Sequence, residues 1–537
     1  MNCSAPIDHR RVVGCASNRS TRWSNSSRVR KSSSRRDSVS EPRPFLREAN
    51  TPVLAHLLGR MRRAGGLLKR ESTRYPLFAN LPFICIYRCV DWQIKIKSTK
   101  EGAAFDLPIS IGILAATGVI TGERLGSYLL VGELSLDGSL KPVRGCLPVA
   151  VAARQAGLAG VVLPPDNAAE AAVVEGVEII PAATLAEVVQ FLRGEQQLPP
   201  HHLDLQHLLR QIDEYADDFG EVRGQEHAKR AIEVSAAGGH NLLMIGPPGS
   251  GKTMLARRIP SILPAMGFDE AIETTAVFSV SGLLENGTAL VTQRPFRAPH
   301  HTISDVGLIG GGASPKPGEV SLAHNGVLFL DELPEFKKHA LEVLRQPLED
   351  GRVNISRALQ SLTYPARVML VAAMNPCPCG YLGDPAHACS CTPLAIKRYR
   401  SRISGPLLDR IDLHVEVPAV AYRDLSDRRE GEGSAAIAGR VLQARAIQQE
   451  RFTGSKVHCN AQMNSRLIRR HCELDAAGHR MLELAGEKLG FSARSYSRIL
   501  KVARTVADLA ASAAIREPHL AEAIQYRSLD RKGPNAC

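Results

Sequence analysis

The chain is punctuated by short apolar runs that stop abruptly at glycine, asparagine or a carboxylate. Asn241-Leu-Leu-Met-Ile245, Gly326-Val-Leu-Phe-Leu330 and Val368-Met-Leu-Val-Ala-Ala-Met374 show no polar alternation, which predicts strands buried on both faces. Val222 to Ile232 predicts a helix ahead of the first run, and Met254-Leu-Ala-Arg-Arg258 begins another behind it. Upstream, Phe105 to Thr117 and Pro148 to Ala156 read as helices and Tyr128 to Ser135 as a strand. Gly160-Val-Val-Leu-Pro164 and Val177-Glu-Ile-Ile-Pro181 read as short strands closed by proline. Near the C-terminus, Ser497 to Ala510 has the spacing of a packed helix. The fold class is therefore α/β, with a helical lid behind the core and a small α/β domain before it.

Composition shifts mark the boundaries. Residues 1–97 are rich in Ser and Arg and lack sustained periodicity, a composition that buries too little apolar area to offset chain entropy, so disorder is expected. An organellar transit peptide and a nucleic-acid-binding arm fit the same composition. The small α/β domain spans 98–196. Leu198-Pro-Pro-His-His202 announces a linker helix over 197–217. The nucleotide-binding domain follows at 218–418, a polar, helical linker at 419–457 and the lid at 458–530. The sequence carries no internal repeat.

The net charge of +13 is unevenly placed. Residues 1–97 hold 20 Lys and Arg against 6 Asp and Glu, so the remainder is near neutral and a nucleic-acid contact there must rest on local features. The longest apolar run, around Leu107 to Ile120, falls short of the roughly 18 residues of a membrane span. With no apolar signal-peptide core at the start, the expected location is the cytoplasm, with no membrane partner.

The candidate chemistry centres on Gly246-Pro247-Pro248-Gly249-Ser250-Gly251-Lys252-Thr253, between the first apolar run and a helical pattern. This is the strand, loop, helix order of a phosphate cradle. Its glycines let successive backbone N–H groups turn inward, Lys252 supplies charge to the outer phosphates of ATP, and Thr253 offers a hydroxyl to Mg²⁺. Asp331 and Glu332 end the second run. The first can join the Mg²⁺ shell, and the second can orient and deprotonate an attacking water. Asn375 ends the third run. Four of the twelve cysteines follow, Cys377, Cys379, Cys389 and Cys391, as two close pairs nine residues apart. That pattern suits a four-sulfur zinc site, with redox pairing or plain buried thiols as the alternatives. His300 and His301 are adjacent and lack the i,i+4 spacing of a ligand face, so they are expected to be structural.

The phosphate loop, the paired carboxylates, Arg294-Pro-Phe-Arg-Ala-Pro-His-His-Thr302 with Gly310 to Glu319, and Asn375-Pro-Cys-Pro-Cys-Gly380 together resemble the ComM/YifB family. These are competence-associated relatives of the magnesium chelatase ATPase subunit, in the AAA+ group with helix 2 and presensor 1 insertions. The resemblance covers about Lys100 to Arg531. It implies that Asn375 is the sensor 1 residue contacting the γ-phosphate or water; an Asn-Pro turn former is the alternative. It implies an arginine finger at Arg410, with Arg402 in reserve and a surface salt bridge as the alternative, and a sensor 2 arginine at Arg494 in preference to Arg498. Catalysis in trans implies a ring, usually a homo-hexamer.

The Gly- and Pro-rich stretch around 294–319 is expected to project as a loop. Asp350 to Pro365 reads as a hairpin like those that point basic residues into the pore of related helicases, which makes Arg357 and Lys316 candidates for DNA phosphates; a solvated hairpin face is the alternative. The small domain resembles the Lon-protease C-terminal fold, with Ala104 and Leu147 near the positions of the Lon catalytic Ser and Lys. Neither can act as nucleophile or base, which implies a scaffold without peptidase activity. Nothing before about Lys97 matches the family's usual N-terminal strands. The function so implied is an AAA+ ATPase that translocates on single-stranded, forked or branched DNA and drives branch migration during natural transformation. The rivals are a chelatase-like or protein-remodelling ATPase and a regulatory binding module.

Overall fold

The computed structural model describes residues 103–120, 123–204, 215, 217–285, 287–312, 315–357, 360–419, 431–455 and 457–527. The expected disordered segment 1–97 and most of the linker helix expected over 197–217 lie outside the described residues.

The small domain runs α1 (Asp106–Ala116), β1 (Tyr128–Leu130), α2 (Cys146–Gln155), β2 (Gly160–Leu163), β3 (Glu178–Pro181) and α3 (Leu185–Arg193), with a parallel sheet ordered β1-β2-β3. The strand expected over Tyr128 to Ser135 is interrupted. Gly132 turns away to exchange backbone hydrogen bonds around the start of α1, donating to Ala104 O just before the helix at 3.1 Å and accepting from Leu107 N in its first turn at 3.2 Å. Glu133–Leu134 then pairs antiparallel with Leu140–Lys141. Thr184 caps α3 by accepting from Glu187 N, and Gly194, at φ 75°, ends it.

The nucleotide-binding domain supplies α4 (Glu226–Gly238), β4 (Leu242–Ile245), α5 (Lys252–Ile262), α6 (Phe268–Ser281), β5 (Phe296–Arg297), β6 (Val327–Leu330), β7 (Arg352–Arg357), β8 (Gln360–Pro365), β9 (Met369–Met374) and β10 (Leu413–Glu416). Five strands form one parallel sheet ordered β10-β4-β9-β6-β5. Every residue of β4, β6 and β9 is buried, because helices and loops cover both faces of the sheet; this is why those strands read as unbroken apolar runs. The start of the Gly- and Pro-rich stretch does not project as expected. Phe296 and Arg297 pair with Val327 and Leu328 as the edge of the sheet, and Arg297 ion-pairs with Glu319 at 2.6 Å. As predicted, β7 and β8 form an antiparallel hairpin.

The C-terminal block contains α7 (Ser434–Arg451), α8 (Ala476–Leu489), α9 (Ala493–Leu509) and α10 (Glu517–Gln525). The segment read as a linker contributes α7, whose Ile437, Val441, Ala444 and Gln448 recur on one helical face and are buried; the first three join a core shared with α4, α5 and α9. Lid and sheet are joined by a buried polar network. His240 lies 3.1 Å from Asp412 and 2.8 Å from Thr505 on α9, and Arg498 of α9 also pairs with Asp412. Beyond α10, Arg527 forms a single parallel bridge to His414, adding one rung to the edge strand β10. The small domain is packed onto this body: Cys146, Leu147 and Ala150 share an apolar cluster with Met266, Ala271 and Leu290.

Burial pushes the pKa of His240, His324 and His414 below the ordinary value, that of His414 to about 3. The unfolded chain therefore takes up protons below about pH 6.5 that the folded chain refuses, and stability falls as pH drops through that value. Each histidine contributes up to about 1.4 kcal/mol per pH unit. Urea denaturation between pH 7.5 and 5.5 should show this loss, and His414→Gln should make it shallower by about one proton.

Candidate nucleotide site

The site forms at the C-terminal ends of β4, β6 and β9, the edge of an open parallel sheet at which ligands bind. After β4 the chain must turn beside Val417, and a Cβ on Gly246 would lie 2.0 Å from the Val417 carbonyl oxygen. Gly249 and Gly251 take φ of 75° and 88°, the left-handed region that glycine enters without strain. The loop then feeds directly into α5, whose N-terminal N–H groups favour an anion.

Lys252 is buried, and its Nζ donates to the carbonyls of Gly246 and Pro247 at 2.8 Å each and reaches Asn375 Oδ1 at 3.4 Å. Burial lowers its pKa, and the charges of Asp331 and Glu332 oppose that shift. Thr253 Oγ1 donates to Asp331 Oδ2 at 2.7 Å. Adjacent ligands on an octahedral Mg²⁺ ion lie roughly 3 Å apart, so this oxygen pair fits one. Glu332 adopts φ 51°, unusual for a residue with a side chain and costing about 1 kcal/mol or more. The turn is held by Asp331 Oδ1 accepting from Glu332 N at 2.9 Å and by Glu335 N donating to Glu332 O at 2.7 Å.

Lys252, Thr253, Asp331, Glu332 and Asn375 are thus brought together. A further residue, read from sequence as structural, joins them: His301 Nδ1 lies 3.0 Å from Glu332 Oε2. Adjacency to His300 hid it, because the contact depends on where the segment after edge strand β5 returns to the sheet.

The predicted arginines make their contacts with other partners. Arg410 is buried, donates to Pro406 O at 2.6 Å and ion-pairs with Glu349. Arg494 is exposed, and its charge, with those of Arg410 and Arg345, holds the Glu349 carboxyl below its usual range after the hydrogen bond from Arg410. Arg402 is half-exposed and pairs with Glu335 at 2.7 Å. Arg498 is taken up by Asp412. Lys316 is exposed on a two-residue strand paired with Gly310–Gly311, and the Arg357 backbone pairs with Gln360 at the end of the β7–β8 hairpin; the Arg357 side chain lies outside the described residues.

The four cysteines converge beside the site. Cys377 Sγ is 3.3 Å from Cys379 Sγ and 3.7 Å from Cys389 Sγ, Cys379 and Cys389 are 3.6 Å apart, and all four sulfurs lie within 4.8 Å of one another. Tetrahedral zinc–thiolate bonds of about 2.3 Å space sulfurs roughly 3.8 Å apart, so the set fits zinc. The Tyr381 backbone N–H and the Cys377 thiol hold the Cys379 thiol down to about 5.

The sheet order, phosphate loop and paired carboxylates define a P-loop protein of the AAA+ class. The magnesium chelatase, subunit ChlI, family matches residues 218–425, its C-terminal family residues 431–527, and the family described as subunit ChlI of Mg-chelatase residues 95–167. Competence protein ComM of Haemophilus influenzae is 47% identical over 436 residues, covering 80% of this chain and 84% of its own length. YifB of Escherichia coli is 45% identical over 440 residues, covering 80% and 83%. Lon protease 2 of Bacillus subtilis is 30% identical over 157 residues, 27% of each chain. The chain belongs to the ComM/YifB family of magnesium chelatase-like AAA+ proteins. No described helix is long and apolar enough to cross a membrane.

Lys252→Ala should weaken ATP binding by about 100-fold, the value of a hydrogen bond to a charged group. Glu332→Gln should leave that affinity intact and slow turnover by roughly 10²–10⁴-fold. Binding of a fluorescent nucleotide beside phosphate release separates the two.

Proposed function

We infer that this chain hydrolyses ATP as a ring-forming motor that moves along DNA, with branch migration or strand translocation during recombination of incoming strands as its task. The observation that carries the ATPase reading is the convergence of Lys252, Thr253, Asp331, Glu332 and Asn375 at the ends of three parallel strands. Lys252 holds the outer phosphates, Glu332 accepts the proton of the attacking water, and Asn375 orients that water. Magnesium, when bound beside Thr253 and Asp331, neutralises phosphate charge.

The ring reading rests on family membership and on an arginine supplied by a neighbouring copy. Of the two candidates, Arg402 is half-exposed and Arg410 buried, which favours Arg402 as the residue that crosses a seam. DNA is the proposed track because a relative at 47% identity is named for competence. Lys316 and Arg357, on two hairpins, are the proposed phosphate contacts. The sulfur spacing supports a structural zinc at Cys377, Cys379, Cys389 and Cys391. The chelatase family matches support a second reading, a motor that remodels a protein partner.

Phosphate release measured with and without forked DNA distinguishes these readings. A DNA motor should turn over several-fold faster with the fork, and mass photometry with ATP should show a hexamer. A monomer indifferent to DNA would sink the proposal.

A further inference from the structure

The four-cysteine cluster is built into the phosphate site rather than merely near it. The segment that carries it leaves the sheet at Asn375, whose Oδ1 is 3.4 Å from Lys252 Nζ, and reaches the first sulfur two residues later. Gly380, one residue past Cys379, is buried at φ 89°, and its N–H closes a turn onto Cys377 O at 3.0 Å. This turn abuts the phosphate loop so closely that a Cβ on Gly380 would lie 2.5 Å from Cδ and 2.8 Å from Cγ of Pro248. The return limb is anchored as well. After Cys391 the chain enters the helix Pro393–Arg400, and Arg400 donates to Pro376 O through Nε at 3.2 Å and Nη2 at 3.1 Å. Two points of the nucleotide site, Asn375 and Pro248, thus adjoin the segment on which the four sulfurs meet.

We propose that a zinc ion bound by Cys377, Cys379, Cys389 and Cys391 sets the conformation of the phosphate loop and of Asn375, so that nucleotide affinity depends on metal loading although the metal touches no substrate. The inference rests on the nucleotide-site reading above. Four metal–sulfur bonds would tie the 377–379 limb to the 389–391 limb, whereas without the ion only weak sulfur contacts, such as Cys377 Sγ to Cys389 Sγ at 3.7 Å and Cys379 N–H to Cys391 Sγ at 3.3 Å, join them, so loss of the ion loosens the turn. Gly380 then withdraws from Pro248, and the loop loses the surface that holds its curl. A support that orients a site from outside is typically worth roughly tenfold or more when removed.

Three proteins test this, each assayed for zinc by plasma mass spectrometry and for binding of a fluorescent ADP analogue. Wild type should carry one zinc per chain and bind nucleotide. Cys389→Ser/Cys391→Ser, which alters only the limb remote from Asn375, should lose the zinc and bind roughly tenfold more weakly. Gly380→Ala should keep the zinc, since the three atoms nearest the added Cβ all belong to Pro248 and none is a sulfur, yet lose comparable affinity, since it crowds Pro248 and strains the backbone at φ 89°. To separate loss of the ion from misfolding, zinc should also be stripped from wild type with a chelator and restored, with affinity falling and recovering while the far-ultraviolet circular dichroism stays constant. Wild type without zinc overturns the metal site and the coupling together. Zinc-free variant or stripped protein that binds as wild type overturns the coupling and leaves the zinc site standing. Wild type that holds zinc but binds no nucleotide overturns the nucleotide-site reading and, with it, the coupling.

Discussion

Everything at the site depends on one buried cation. Lys252 is out of water, and its ammonium group keeps two carbonyls of its own loop and the Asn375 side chain as partners. An amine so placed costs free energy unless donors and acceptors are arranged around it in advance. The parallel strands β4 and β9 supply that arrangement, since they are hydrogen-bonded neighbours and deliver Gly246 and Asn375 to the same end of the sheet. Asp331 and Glu332 arrive from the next strand, β6, with charge of the opposite sign. The sheet order is therefore an electrostatic requirement as much as a topological one.

The strands that carry this chemistry were legible because burial on both faces writes itself as an unbroken apolar run, and because a glycine-rich loop can follow such a run for few reasons. The antiparallel hairpin β7–β8 was legible for a related reason, its two runs being flanked by turn formers. Less visible were elements whose identity depends on a partner far away in sequence. Phe296–Arg297 is a strand only because Val327 and Leu328 accept it, and two residues are too few for a periodicity to show. The helix over 434–451 reads as a linker because its outer face is polar, and its apolar inner face has meaning only once α4 and α9 are there to cover it. His301 carried no signal at all, since its role is fixed by the carboxylate it meets.

The arginines show a different limit. Sequence resemblance can assign a guanidinium to a role, but it cannot show what that group bonds to within its own chain. Arg410 and Arg498 each spend their charge on a carboxylate of the same polypeptide, Glu349 and Asp412, and those pairs hold local structure in place. Asp412 is shared with His240, so the lid helix α9 is bonded to the sheet through a group that stays ionised in a buried setting. Such a junction is costly to assemble and strongly destabilised when one member is lost, which makes it a point of registration between lid and core.

The apolar cluster that joins α2 to the start of α6 has a mechanical meaning. Because Leu147 and Ala150 share one packed interior with Met266 and Ala271, the small domain is not a bead on a string. Close-packed interiors transmit displacement instead of absorbing it. A displacement of α6 would therefore be passed to the small domain through that shared interior instead of being lost in a linker.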